Sequence, residues 1–277
     1  MARATFVRQK WLNPGQEEKR KGNIKRFMNM RVAYLDCYYG VTPRKLLSAI
    51  IDAGIEANIL IEEMKKLNIP FEIDVKREKR GQNKATNIKL KSEEKRCPTT
   101  LKEIINLINL SYLESGIKST VKLIYDKIGE VESKIHKEPK EKVHLYEVGQ
   151  PKAILIVTGI VAGIKKLKIG EVYCSGLSLG SGNVKCSHGI LSVPVPATSL
   201  LVKNIPTYAL DIKGEMTTPL GTAIVSFLVK KNGHPRSGWG RIPLMFIERI
   251  GQGFGANDGP LPSEPLSIYL GRKRRTI

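Results

Sequence analysis

Between Tyr173 and Thr198 the chain reads YCSGLSLGSGNVKCSHGILSVPVPAT. Cys174, Cys186 and His188 put two thiols and an imidazole in one segment, donors that suit a soft or borderline metal ion. Their spacing lacks the two-residue cysteine pair of a closed zinc site, which would need a fourth ligand from elsewhere. The plainer reading makes Cys174 a buried strand residue and gives His188 a part in holding the loop. The segment also carries Gly176, Gly180, Gly182 and Gly189. No phosphate-loop Lys-Ser/Thr follows them, and no helix opens on a G-x-G-x-x-G pattern. They read as turn residues, with Gly180, Gly182 and Gly189 shaping the loop. His144 and Glu147 stand three apart, a placement that lets an imidazole and a carboxylate share a metal ion or a proton. Asp36 and Glu215 each close an apolar strand near a glycine, where sites and turn caps both occur. The run GQGFG at 251–255 is non-specific.

These residues need elements to carry them. Val32 to Leu35 is an apolar run ending at Asp36 and Gly40, the pattern of a buried strand entering a loop. The helical spacing of Leu46, Leu47, Ile50 and Ile51, then of Ile55, Ile59, Leu60 and Met64, predicts two helices divided at Gly54, the first opening on Thr42-Pro43. FEIDVKREKRGQNKATNIKLK predicts a hairpin turning near Gly81. LKEIINLINLSYL and STVKLIYDKIGEVESKIH predict helices, and KEPKEK is a polar link. Ala153 to Leu167 predicts a helix packed all round, and EVYCSGL a strand. PATSLLVK predicts a short helix, PTYALDIKGE a strand and PLGTAIVSFLVKK a helix. LMFIERIGQGFG and PLSIYLGRK predict closing strands. The irregular alternation favours an α+β fold with mixed sheets over α/β. The predicted organisation is a disordered or loosely docked basic extension (1–30), a first α+β part (31–140), a second holding HGILSVPVPAT (141–271) and a basic tail (272–277).

The 277 residues carry a formal charge of +20. More than half of it lies in residues 1–31 and in Arg272 to Arg275, ends that hold phosphates non-specifically. That leaves non-specific nucleic-acid binding as an alternative, although few aromatics interleave the charge to form a stacking platform. The longest apolar run, Ala153 to Ile164, is too short to span a bilayer, and the N-terminus has no apolar signal core. The expectation is a cytoplasmic protein with reduced thiols at Cys37, Cys97, Cys174 and Cys186.

The motifs YLDCYYGV with LLSAIIDAG, VHLYEVG, YCSGLSLGSGNVKCSHGILSVPVPAT, GEMTTPLGTAI and GQGFGAND occur in that order. Together they resemble the amino-terminal domain of the LarC nickel-insertion proteins over roughly residues 31–271. The resemblance implies insertion of Ni2+ into pyridinium-3,5-bisthiocarboxylic acid mononucleotide. This completes the nickel-pincer cofactor of lactate racemase-type enzymes by forming a nickel–carbon bond and consumes CTP. It implies metal-proximal roles for His188, His144 and Glu147, then for Cys186, Asp36 and Glu215. It also implies a carboxy-terminal LarC domain, here a separate partner, tied to CTP use. The chain departs from the family pattern at Arg44, Lys152 and Ile156, where aspartates are expected, and at Tyr146, which replaces a histidine. Arg44 and Lys152 are candidates for holding a phosphate instead. A relative that kept the fold and binds nucleotide or metal without turnover is the alternative.

Overall fold

The computed structural model describes residues 31–92, 100–186, 189–230, 238–255 and 264–273. The chain divides into residues 1–30 and 31–277, and every described residue belongs to the second unit. Its centre is a mixed six-stranded sheet in the order β2-β3-β11-β12-β1-β4. These strands are β1 (Arg31–Asp36), β2 (Phe71–Arg80), β3 (Asn83–Ser92), β4 (Ile169–Cys174), β11 (Met245–Gly253) and β12 (Leu266–Lys273). β1 runs antiparallel to β12 and parallel to β4. The helices are α1 (Pro43–Asp52), α2 (Ala57–Lys65), α3 (Leu101–Leu110), α4 (Ser115–His136), α5 (Pro151–Lys166), α6 (Pro196–Leu201) and α7 (Pro219–Lys230). This is the α+β architecture with mixed sheets that the alternation of elements predicts. Strands from both sides of the 137–142 link share the one sheet.

Period-two alternation sorts the two faces of the sheet. Ala33, Leu35, Val172, Cys174, Ile268 and Leu270 are buried in the core beneath the helices. Tyr34, Tyr173 and Tyr269, adjacent in register, stand half-buried on the opposite face. α1 lies on β3 and β11, and α5 packs over α1 and α2. α5 is buried through almost its whole circumference, and Gly159 and Gly163 admit Leu47, Met64 and Ile50 at close range. α4 turns Ile117, Val121, Ile124, Tyr125 and Ile128 inward, and the Tyr125 hydroxyl donates to the Val148 carbonyl at 3.1 Å. Among the described residues, no helix is long and apolar enough to cross a membrane.

α3 starts with a reciprocal capping box. The Thr100 hydroxyl accepts from the Glu103 amide at 3.3 Å, and the Glu103 carboxylate accepts from the Thr100 amide at 3.0 Å. Thr100→Ala is expected to lower unfolding free energy by about 1 kcal/mol, read as a reduced urea midpoint at unchanged slope.

The segment after β4 is built of short pieces. These are β5 (Leu177–Ser178), β6 (Gly180–Ser181), β7 (Asn183–Cys186), β8 (Gly189–Ser192), β9 (Thr207–Tyr208) and β10 (Gly214–Glu215). β7 and β8 form a hairpin in which Cys186 pairs with Gly189. PTYALDIKGE is therefore not one strand but two short pairings with irregular backbone between them, β9 against β5 and β10 against β6. Its apolar residues are too few and too interrupted by Asp211, Lys213 and Gly214 to bury a continuous face.

Candidate functional site

Four helices start around one cleft of about 1020 Å3, and each has proline as its first residue: Pro43, Pro151, Pro196 and Pro219. Proline suits that position because the amide it lacks would have no helical partner there. Thr42 caps α1 by accepting from the Lys45 amide at 3.2 Å, and Thr218 caps α7 by accepting from the Gly221 amide at 3.2 Å. The buried Thr217 hydroxyl accepts from the Val41 amide at 3.2 Å and donates to the Ser178 carbonyl at 2.6 Å. It thus ties the approach to α1 to the short strands. Glu215 pairs with Gly180 in the β10–β6 ladder. Gly180 has φ +86°, and a Cβ there would meet the Gly214 carbonyl oxygen at 2.0 Å. A larger residue would displace the strand that carries Glu215. Gly182 and Gly189 also have positive φ, at +78° and +95°.

His144, Glu147, Cys186, Glu215, Arg44 and Lys152 all line the cleft, although they come from distant parts of the chain. Tyr146 and Ile156 line it too. Asp36 does not; its carboxylate accepts from the Tyr38 amide at 3.1 Å in the turn after β1. Cys174 lies away from Cys186, fully buried with its sulfur 3.6 Å from that of Cys37. Burial, then the neighbouring Cys37, pushes its thiol well up, so it stays protonated. Cys37, Cys174 and Cys186 are free thiols. His188 and Cys97 lie outside the described residues.

The electrostatics are concentrated in two places. The Glu215 Oε1 atom is buried and has no hydrogen-bond partner. Burial, then the charge of Glu147, pushes the Glu215 carboxyl up to about 7. A shielded carboxylate oxygen beside the exposed Glu147 carboxylate favours either a held proton or a bound cation. The second place is Lys45, the third residue of α1, which the sequence alone does not single out. It is 8% exposed and lines the cleft, and burial lowers its ammonium to about 8. Lys213, Lys185 and the Glu132–His136 pair, 3.5 Å apart, complete a mixed-charge rim. The i, i+4 spacing of Glu132 and His136 was the available signal for that pair. Among the described residues, no three His, Cys, Asp or Glu side chains form a group that could hold a metal ion.

The fold and cleft define an α+β domain that gathers carboxylates, amines and a thiol around a space sized for a small charged molecule. The family described as nickel insertion protein matches residues 33–276, and the chain belongs to that family. A pyridinium-3,5-bisthiocarboxylic acid mononucleotide nickel insertion protein of Desulfitobacterium hafniense (strain DSM 10664 / DCB-2) is 34% identical over 235 residues, covering 84% of this chain and 57% of that protein. A protein of the same description from Thermotoga sp. (strain RQ2) is 33% identical over 258 residues, covering 87% and 61%. Another from Clostridium kluyveri is 34% identical over 261 residues, covering 89% and 63%. The chain thus spans about three-fifths of the length of the curated relatives it matches. No solved structure matches it.

Proposed function

We propose that this chain supplies the nickel-handling and substrate-holding part of a cytoplasmic enzyme that inserts Ni2+ into pyridinium-3,5-bisthiocarboxylic acid mononucleotide. The observation that carries this reading is the buried, unpartnered Glu215 oxygen beside Glu147, within a cleft of a nickel insertion family member. An unpaired carboxylate oxygen shielded from water has a strong need for a cation. Glu147 and Glu215 are the first candidate ligands; Cys186 and His144 line the same cleft and would add sulfur and nitrogen donors only when drawn in by the metal, since no three such groups stand together among the described residues. His188, two residues beyond Cys186, is the further candidate from the sequence. Nickel here is a substrate, held until the nucleotide's own sulfur donors take it. Arg44 and Lys152, at the starts of α1 and α5, would hold the nucleotide phosphate, with the positive helix ends adding to their charge. CTP use would fall to the portion of the relatives' length that these residues do not span.

A second reading is favoured by one observation. The departures from the family pattern (Arg44, Tyr146, Lys152 and Ile156) all line this cleft. A cleft altered in this way would bind the nucleotide without turnover.

The two readings separate in one assay. The protein is incubated with Ni2+, CTP and the mononucleotide, with and without the remaining part of a full-length relative as a separate polypeptide. Mass spectrometry then looks for the nickel-bearing nucleotide. Product in either mixture supports insertion. Nucleotide binding without product, while the full-length relative turns over in parallel, overturns it in favour of the second reading. Binding of neither metal nor nucleotide overturns both.

A further inference from the structure

Lys45 is a buried cation without a described counter-ion. Its Nζ donates to the Tyr39 carbonyl at 2.9 Å, and it makes no ion pair with any carboxylate among the described residues. An ammonium carries three donors, so two remain for another partner. A buried charge in this state is costly unless something anionic completes it. Its position is fixed on all sides. Thr42 caps the helix turn that bears it, the backbone of Gly253 packs against its own carbonyl, and Gly255 lies against its stem. Gly255 is itself held by Arg80, whose Nη1 donates to its carbonyl at 3.2 Å. The charges that act on the ammonium are Cys37 and Glu264, and both are outweighed by desolvation.

We propose that Lys45 is a second anion-binding position in the cleft, taking a singly charged carboxylate or thiocarboxylate of the ligand's ring. The proposal rests on the cleft being the mononucleotide site. Charge matching separates it from the phosphate position. Arg44 and Lys152 are more exposed cations at two helix starts, and together they suit a dianion that keeps part of its hydration. Lys45 brings one positive charge and two donors that no described residue takes up, in a dry pocket, which suits a monoanion. Holding a ring substituent this way would fix the ring's rotation about its bond to the sugar, so that its reacting edge meets the metal-proximal wall in one orientation.

Nicotinate mononucleotide carries a pyridinium ring, one carboxylate and one phosphate, whereas nicotinamide mononucleotide differs only in having a neutral amide. Binding of both probes is measured by calorimetry to wild type, Lys45→Met and Arg44→Ala/Lys152→Ala. Wild type is expected to prefer the acid by at least about 30-fold, and Lys45→Met to erase that preference while leaving amide affinity unchanged. The Arg44/Lys152 double variant is expected to weaken both probes alike. Lys45→Met removes an uncompensated buried charge and should melt no lower than wild type. Should it fail to fold, Lys45→Gln gives the same comparison. An acid preference that survives loss of the lysine, or no preference in wild type, overturns the Lys45 assignment alone. If wild type binds neither probe, the mononucleotide reading of the cleft falls with it.

Discussion

Replacing Glu147 and Glu215 together by glutamine is expected to weaken Ni2+ binding at least about 100-fold, measured by calorimetry near neutral pH. Either single change should account for only part of the loss. A glutamine keeps the size of the side chain and one carbonyl acceptor but removes the charge that attracts a dication. The pH dependence gives a second handle. The Glu215 carboxyl is pushed up to about 7, from an ordinary value of 4.5, by burial and then by Glu147. Nickel must displace that proton, so affinity should climb from pH 6 to pH 8, and Glu215→Gln should flatten the climb. Stability without metal runs the other way. The folded protein holds this proton across a range where the unfolded chain has lost it. The contribution is fully present below pH 4.5 and is lost as pH rises through 7, by no more than about 3 kcal/mol. Thermal melts at pH 5 and pH 8 should therefore show a decline in wild type that Glu215→Gln reduces and saturating nickel offsets.

Gly253→Val is expected to be the most damaging single substitution to the scaffold, at more than about 4 kcal/mol, or to leave no soluble protein. A Cβ at this position would lie 2.1 Å from the Lys45 carbonyl oxygen and 2.3 Å from the Ala49 amide nitrogen. At Gly251 it would lie 2.2 Å from the Ala49 carbonyl oxygen and 2.4 Å from the Ala53 amide. These are backbone atoms of α1, so no side-chain rotation relieves the clash. The strand and the helix touch main chain to main chain, which only glycine permits. Because Arg44 and Lys45 lie in the first turn of α1, moving it also moves one wall of the cleft. Loss of probe binding should accompany the loss of stability in any folded fraction. Gly182→Ala is the contrast. It has positive φ but no atom closer than 3.9 Å, so it should cost only about 1 kcal/mol of backbone strain. Urea denaturation of the three proteins ranks them.

The helices were legible because apolar residues recur at 3.6-residue spacing, as in Leu46, Leu47 and Ile50, and because Thr42-Pro43 marks the start of the first. The GQGFG glycines were read as non-specific, yet two of them mark where β11 meets α1. Their spacing of two, on the helix-facing side of a strand, was the usable signal. The site was legible in parts but not as a whole. Glu147 and Glu215 are separated by two helices, β4 and several short strands, and no local pattern says that they approach. Lys45 was missed for the opposite reason. A basic residue in the first turn of an amphipathic helix reads as solvated, and only the packing of Gly253 and Gly255 against it shows otherwise. Asp36 ended a strand as expected but serves the turn, since its carboxylate is occupied by the Tyr38 amide.

The sheet order places the last strand in the interior. β12 lies between β11 and β1, so residues 31–36 find their antiparallel partner about 230 residues later. During synthesis β1 and β4 can meet early, but the edge of β1 that β12 will cover stays open until residue 273 has left the ribosome. Ala33 and Leu35 have half of their strand surroundings missing for that whole interval. The nascent chain therefore presents an apolar strand edge while the residues between β1 and β12 are being made. It should depend on chaperone shielding more than a domain of similar size whose neighbouring strands are also neighbours in sequence.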